Sequence, residues 1–299
     1  MAAEAVQPIH LPVVPSSRIA FLARRLRRSP VGVIGVVIVT AVLLAALLAP
    51  VIAPHEPVRP QFDRRLLPPA FLPGASRDYL LGTDNLGRDI FSRVLYGSRV
   101  SVVVGVSAVS IACVIGVTSG MLAGFHGGAL DVVTGRLVDT FLSIPFIVLA
   151  LAIVGVLGPS LVNLIVVLGV VGWVSFNRVV RGETIAIAAR EFVLAARALG
   201  QTNAQILRRH VLPNVAPSVI VLATLDVAST IIAESALSFL GLGVQHPTVT
   251  WGSMLADGRQ YVATAWWLAV APGLAITVTV LGIIFLGDWL RDVLDPRLR

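Results

Sequence analysis

Long apolar runs separated by shorter polar stretches set the organisation of this chain. Runs at 31–53, 100–125, 137–157, 161–176, 215–244 and 262–287 hold few or no charged residues. The apolar core of a bilayer takes about 20 helical residues, so the pattern predicts about six transmembrane helices in an all-α, polytopic membrane protein. The 161–176 run is slightly short at about 16 residues, and Asn177 extends it toward the interface. Pro145 falls inside 137–157 and predicts a kink supported by neighbouring helices.

The polar stretches complete the layout. Residues 1–30 form an arm ending in Arg24, Arg25, Arg27 and Arg28, and 31–53 is the first transmembrane helix. A secretory or twin-arginine signal is the alternative there, but a run of about 23 apolar residues is too long for a signal's core. Residues 54–99 are a loop rich in turn formers, ending in Ile90, Phe91, Val94 and Leu95 at helical spacing, a short amphipathic helix on the membrane face. Its acids do not alternate as a calcium loop requires. Residues 100–290 form the core of five further helices, with a polar loop at 177–214, and 291–299 is a tail. Pro247, Trp251, Met254, Trp266 and Trp267 suggest an outer loop with aromatic anchors at the interface.

Composition agrees: 56% of the 299 residues are hydrophobic and 13% are charged, about half the share of a soluble domain. The net charge of +7 raises nucleic acid as a partner, yet the arginines gather near span ends, which topology explains. With both termini inside, fifteen of the 23 basic residues lie on the cytoplasmic side and eight outside. The outer arginines concentrate in the long 54–99 loop, where Glu56, Asp63, Asp78, Asp84 and Asp89 offset them. The sequence holds no lysine, which excludes a complete Walker A phosphate loop. Any ATP that drives this protein therefore binds another polypeptide. The single cysteine, Cys113, permits no disulfide within the chain, and the five histidines have no metal-ligand spacing.

The most informative polar stretch is 191–214, EFVLAARALGQTNAQILRRHVLPN. Gly200 suits a left-handed C-terminal cap, and Thr202 with Gln205 reads as a capping box that starts a second short helix. Leu212-Pro213 is predicted to close that helix. A DNA-reading helix-turn-helix shares the ALGQT wording, but it needs a third helix and a core that so short a segment between spans cannot supply. The spacing Ala195-Ala196, Gly200, Leu212-Pro213 resembles the cytoplasmic EAA loop of binding-protein-dependent ABC importer permeases. Leu194 stands where that family has Glu, a variation common among peptide-type members, and Glu191 lies three residues earlier. LGTDNLGRDIFSRVLYGSR in the 54–99 loop and ESALSFLGLG at 234–243 also resemble the C-type permease of dipeptide and oligopeptide importers.

The resemblance implies a type I ABC importer permease fold in the bacterial inner membrane. It implies a homologous second permease, two ATPase subunits that carry ATP and Mg, and an extracytoplasmic substrate-binding protein, with lipid around the bundle and no nucleic acid. This chain would bind no cofactor or metal and catalyse no reaction. Glu191, Ala195, Ala196, Arg197, Gly200, Leu212 and Pro213 would form the coupling element. Asp84, Arg88 and Asp89 are the candidate docking residues for the binding protein. Within the membrane a carboxylate is costly, so Asp226, Thr230 and Glu234, on one face of the fifth span, are candidates for the pathway, with Asn163 as another and Glu234 ahead of Asp226. Paired structural carboxylates are the alternative reading of that face. Relatives of such permeases carry nickel, glutathione or oligosaccharides. A proton-coupled secondary transporter is a rival of another class. An intramembrane enzyme lacks its signature motifs here.

Overall fold

The computed structural model describes residues 24–294, so 1–23 of the N-terminal arm and 295–299 of the tail lie outside it. The helices are α1 (Pro30–Ile52), α2 (Ile90–His126), α3 (Gly128–Leu142), α4 (Phe146–Leu157), α5 (Leu161–Ala188), α6 (Glu191–Ala198), α7 (Asn203–Ile206), α8 (Leu212–Phe239), α9 (Trp251–Gly258) and α10 (Trp267–Leu294). No strand occurs among the described residues beyond a lone antiparallel bridge, Thr83 with Asp89. Five stretches (α1, α2, α5, α7 through α8, and α10) are each long and apolar enough to cross a membrane, and the bent pair α3–α4 makes a sixth.

Several helices differ from the sequence-based expectation, each for a local reason. The amphipathic segment after residue 89 is no separate helix. Asp89 caps it by accepting from Ser92 N at 2.9 Å, and nothing breaks the ladder afterwards, so α2 runs 37 residues, about 55 Å. The run at 161–176 continues through polar residues to Ala188, because its charges find partners: Asp131 takes both Arg181 Nε and Nη2, and Ser218 donates to Glu183. Pro145 does more than kink its span. Ser143, Ile144 and Pro145 separate α3 from α4, and the two axes meet at 88°. A proline cannot donate into the ladder and drives the residue before it out of the helical region.

The centre of the bundle is the α2–α5 pair. A Cβ added at Gly116 would lie 2.4 Å from Trp173 O, one at Gly120 2.7 Å from Asn177 O, and one at Gly124 2.7 Å from Arg181 O. Three glycines at i+4 spacing thus face three backbone carbonyls at the same spacing. Bare backbone lets the helices approach closely, which is how helices associate where lipid removes the hydrophobic drive. Asn177 donates to Ser119 Oγ at 2.8 Å across the same seam. By contrast α1 leans on α10 through Gly32 and Gly35, against Trp289 and the Leu286 backbone, and turns residues such as Val51 outward, 82% exposed. That is the surface of a helix that lipid covers.

Candidate functional site

Three constructions stand out: an elbow at one end of the bundle, a cavity within it, and a buried ion cluster at the other end. The elbow is α6, α7 and the turn between them. Leu199 ends α6, Gly200 takes φ +79°, Gly200 N donates to Arg197 O at 3.0 Å and Gln201 N to Ala196 O at 3.1 Å. These two bonds define a Schellman cap. The Thr202–Gln205 capping box is present in both directions. Val193, Ala196, Ile206, Val211 and Val215 bury themselves against Phe176 and Val180 of α5. Arg197 lies 5.5 Å from the Phe125 ring, tying the elbow to the end of α2.

Two expectations for the elbow are corrected. Ala196 faces inward, 4% exposed, and packs the elbow onto the bundle, so the exposed surface of α6 is carried by Phe192, Leu194, Ala195 and Leu199 among others, Leu199 being 83% exposed. Leu212-Pro213 closes nothing. A π-turn at Leu207–Val211 widens the helix just before the proline, and α8 follows without a break. Pro213 sits in the first turn of α8, and the wider turn takes up the interruption it causes. Glu191 occupies the first turn of α6, where an acid suits the helix dipole.

The cavity, about 490 Å³, opens between α3–α4, α5 and α8. Asp226, Ser229 and Thr230 line it from α8 and Ser175 from α5, with Phe141 and Phe146 on either side of the α3–α4 break. Glu234 is not among its walls. It is fully buried, accepts from Ser238 at 2.7 Å and Ser235 at 3.3 Å, and stands beside Thr250 at the foot of α9. Gly252 of α9 lets that contact close, since a Cβ there would lie 2.4 Å from Ser235 O. Hydroxyl donors thus satisfy Glu234 in place, as buried polar groups require, and the preference for it over Asp226 reverses. Asn163 is also off the cavity: its amide donates to Leu157 O at 2.9 Å and Gly158 O at 3.0 Å, closing the α4–α5 turn.

The loop before α2 folds onto α9 and α10. Asp84 accepts from Leu86 N and Arg88 N, both at 2.9 Å, and Arg88 Nε lies 2.6 Å from its other oxygen. Arg88 and Arg93 both reach Asp257 of α9, at 3.1 and 3.4 Å. Asp89 is consumed by the cap of α2 and lies 3.6 Å from His55. Asp84, Arg88 and Asp89 are therefore buried, with Asp84 and Arg88 each 4% exposed, and any docking face is built on them and not from their side chains. Trp251 and Trp267, expected at the lipid interface, are buried too: Trp251 donates to Val94 O at 2.9 Å and Trp267 to Thr83 O at 3.3 Å.

Residues 116–299 match the family described as the binding-protein-dependent transport system inner membrane component. The chain belongs to that family. Residues 20–69 match a second family, the N-terminal transmembrane domain of oligopeptide transport permease C. The dipeptide transport system permease protein DppC of Alkalihalophilus pseudofirmus is 40% identical over 92% of this chain and 89% of its own length. The di/tripeptide transport system permease protein DppC of Pseudomonas aeruginosa is 41% identical over 89% of this chain and 88% of its own. In fold, the chain is similar to the MetNI methionine ABC transporter in an inward-facing conformation, with TM-score 0.56 and 22% identity over 68% of this chain and 96% of that one. The inner membrane component is thus an all-α, multi-pass ABC permease.

Sequence reasoning overlooked several residues of this permease. Arg93 and Asp257 complete the ion cluster with Asp84 and Arg88, yet they are 164 residues apart and nothing local joins them. Leu199, an apolar residue just before the glycine of a polar stretch, was visible as a protruding anchor. The Gly116, Gly120 and Gly124 spacing was equally legible as a helix-packing signal.

Proposed function

We propose that this permease is one half of the translocation path of an ATP-driven importer of di- or oligopeptides. A homologous second permease completes the path, two ATPase subunits lie on the cytoplasmic side with the elbow fitting a groove on one of them, and an extracytoplasmic binding protein delivers cargo to the opposite face. Both termini are cytoplasmic. The relatives' names carry peptides, which favours peptide over nickel, glutathione or sugar as cargo.

The observation that carries this reading is mechanical. A single helical rod runs from Asn203 to Phe239, with the elbow at one end and the cavity residues Asp226, Ser229 and Thr230 farther along. From Val211 to Asp226 is about 22 Å of helix. Work done on the elbow by a nucleotide-driven partner passes from α6 through the capped Gly200 turn into this rod and so to the cavity wall. Leu194, Ala195 and Leu199 offer that partner a small apolar tip, while Val193, Ala196 and Ile206 hold the tip to the bundle. Such a two-state element answers only to a ligand that binds its two states differently, here the ATPase with and without nucleotide.

The test replaces the lone Cys113 by serine and places a cysteine at Leu199. An impermeant thiol reagent should label it in inside-out vesicles and not in intact spheroplasts, and ATPase subunits should protect it. Labelling from outside sinks the orientation and the coupling role together. Reconstituted with its companions, the assembly should import dialanine only with ATP; import by this chain alone would point to a secondary transporter.

A further inference from the structure

We infer that Asp226 is a recognition point for a positively charged group of the cargo, the free α-ammonium of a peptide, inside the membrane. The inference rests on the peptide-importer reading above and names what its cavity selects.

Asp226 lines the 490 Å³ cavity, a volume typical of small-molecule sites. Among the described residues, no hydrogen bond or ion pair reaches its carboxylate. No basic side chain lines the cavity either. Glu234, on the same helix, has its serine donors, and Asp131 in the first turn of α3 has Arg181. Asp226, well inside the span of α8, faces the cavity with no such partner among the described residues.

The surroundings suit a cation. Ser175, Ser229 and Thr230 line the same space with hydroxyl-bearing side chains, and Phe141 and Phe146 line it from the α3–α4 break. A hydroxyl oxygen accepts from an ammonium, and an aromatic face attracts it. Gly172 of α5 stands beside the carboxylate, where a Cβ would lie at ordinary contact distance, 3.9 Å from Oδ2. A carboxylate inside the membrane with no partner is costly to maintain. A passing ammonium removes that cost while it is bound and restores it on leaving, so the contact is transient. An amide-capped N-terminus offers no charge and gains nothing.

The experiment uses the full permease–ATPase assembly in nanodiscs without its binding protein, with dialanine and N-acetyl-dialanine as probes and ligand-observed NMR titration as readout. The wild type should bind dialanine about tenfold tighter than the acetylated form, the size of one charge-assisted hydrogen bond. D226N should abolish the preference and D226E should retain it. Equal binding of the two probes by the wild type, or no binding of either, overturns the inference, as does a preference that survives D226N. Loss of the second permease from D226N but not from D226E also overturns it, since the carboxylate would then serve an assembly contact. Dialanine import by the same assembly, with its binding protein restored, separates the two levels: import without ammonium preference sinks only this inference, and no import sinks the peptide reading itself.

Discussion

Replacing Gly200 isolates the elbow's geometry from its packing. The residue sits at φ +79°, and a Cβ there would meet nothing within 4 Å. The penalty for a side chain is therefore conformational, about 1–2 kcal/mol for an L-residue in the left-handed region. The turn can escape that penalty only by giving up the Gly200–Arg197 and Gln201–Ala196 bonds, together about 1–3 kcal/mol. Either route costs enough to shift the elbow population about fivefold or more. The bundle is untouched, because Val193, Ala196 and Ile206 keep their contacts. Uptake and ATPase activity, measured on one reconstituted preparation with loaded binding protein, should then separate. G200V should lose about tenfold in peptide uptake while its ATPase rate changes by less than about twofold. G200N should stay near wild type, because asparagine tolerates the left-handed region, and G200A should fall between. Normal uptake by G200V refutes the reasoning, and so does a G200N as impaired as G200V, since that would point to lost space at a partner contact.

The remaining predictions concern the bundle and its two ends. G116A forces a Cβ to within 2.4 Å of a backbone carbonyl and should lower stability in detergent by about 1–3 kcal/mol, whereas G135A, where a Cβ meets nothing within 4 Å, should gain up to about 1 kcal/mol from helix propensity; thermal unfolding compares them directly. R93A removes one of two cationic partners from buried Asp84 and half-buried Asp257, each of which keeps Arg88, and should cost about 1–3 kcal/mol. R64A, at an exposed pair with Asp63, should cost less than about 1 kcal/mol in the same melt. L199D places a charge on the exposed tip of the elbow and should weaken ATPase retention by at least about tenfold, the loss of one buried leucine, in pull-down titrations with the chain otherwise folded.

Much of this protein was legible residue by residue. The apolar runs gave the spans, because a bilayer accepts only helices of a certain length whose backbone groups pair within the segment. Gly200, Thr202 and Gln205 announced the elbow's turn and cap, because these motifs close within about six residues and carry their own hydrogen bonds. Family wording then told what kind of machine the bundle belongs to.

Direction and partnership were not local. Asp226 and Glu234 lie eight residues apart on one helix, in the same chemical class, and the fold separates them: the start of α9 closes over one, which Ser235 and Ser238 of α8 already satisfy, and the α3–α4 break opens a cavity before the other. Ala195 and Ala196 are neighbours in sequence, yet one faces out and the other packs inward. The turn-rich phrase around Asp84 and Arg88 marked a polar site, but its burial depended on Asp257, which arrives from the other end of the chain. A sequence states which groups must be satisfied; which groups satisfy them depends on distances in space that only the packed helices create.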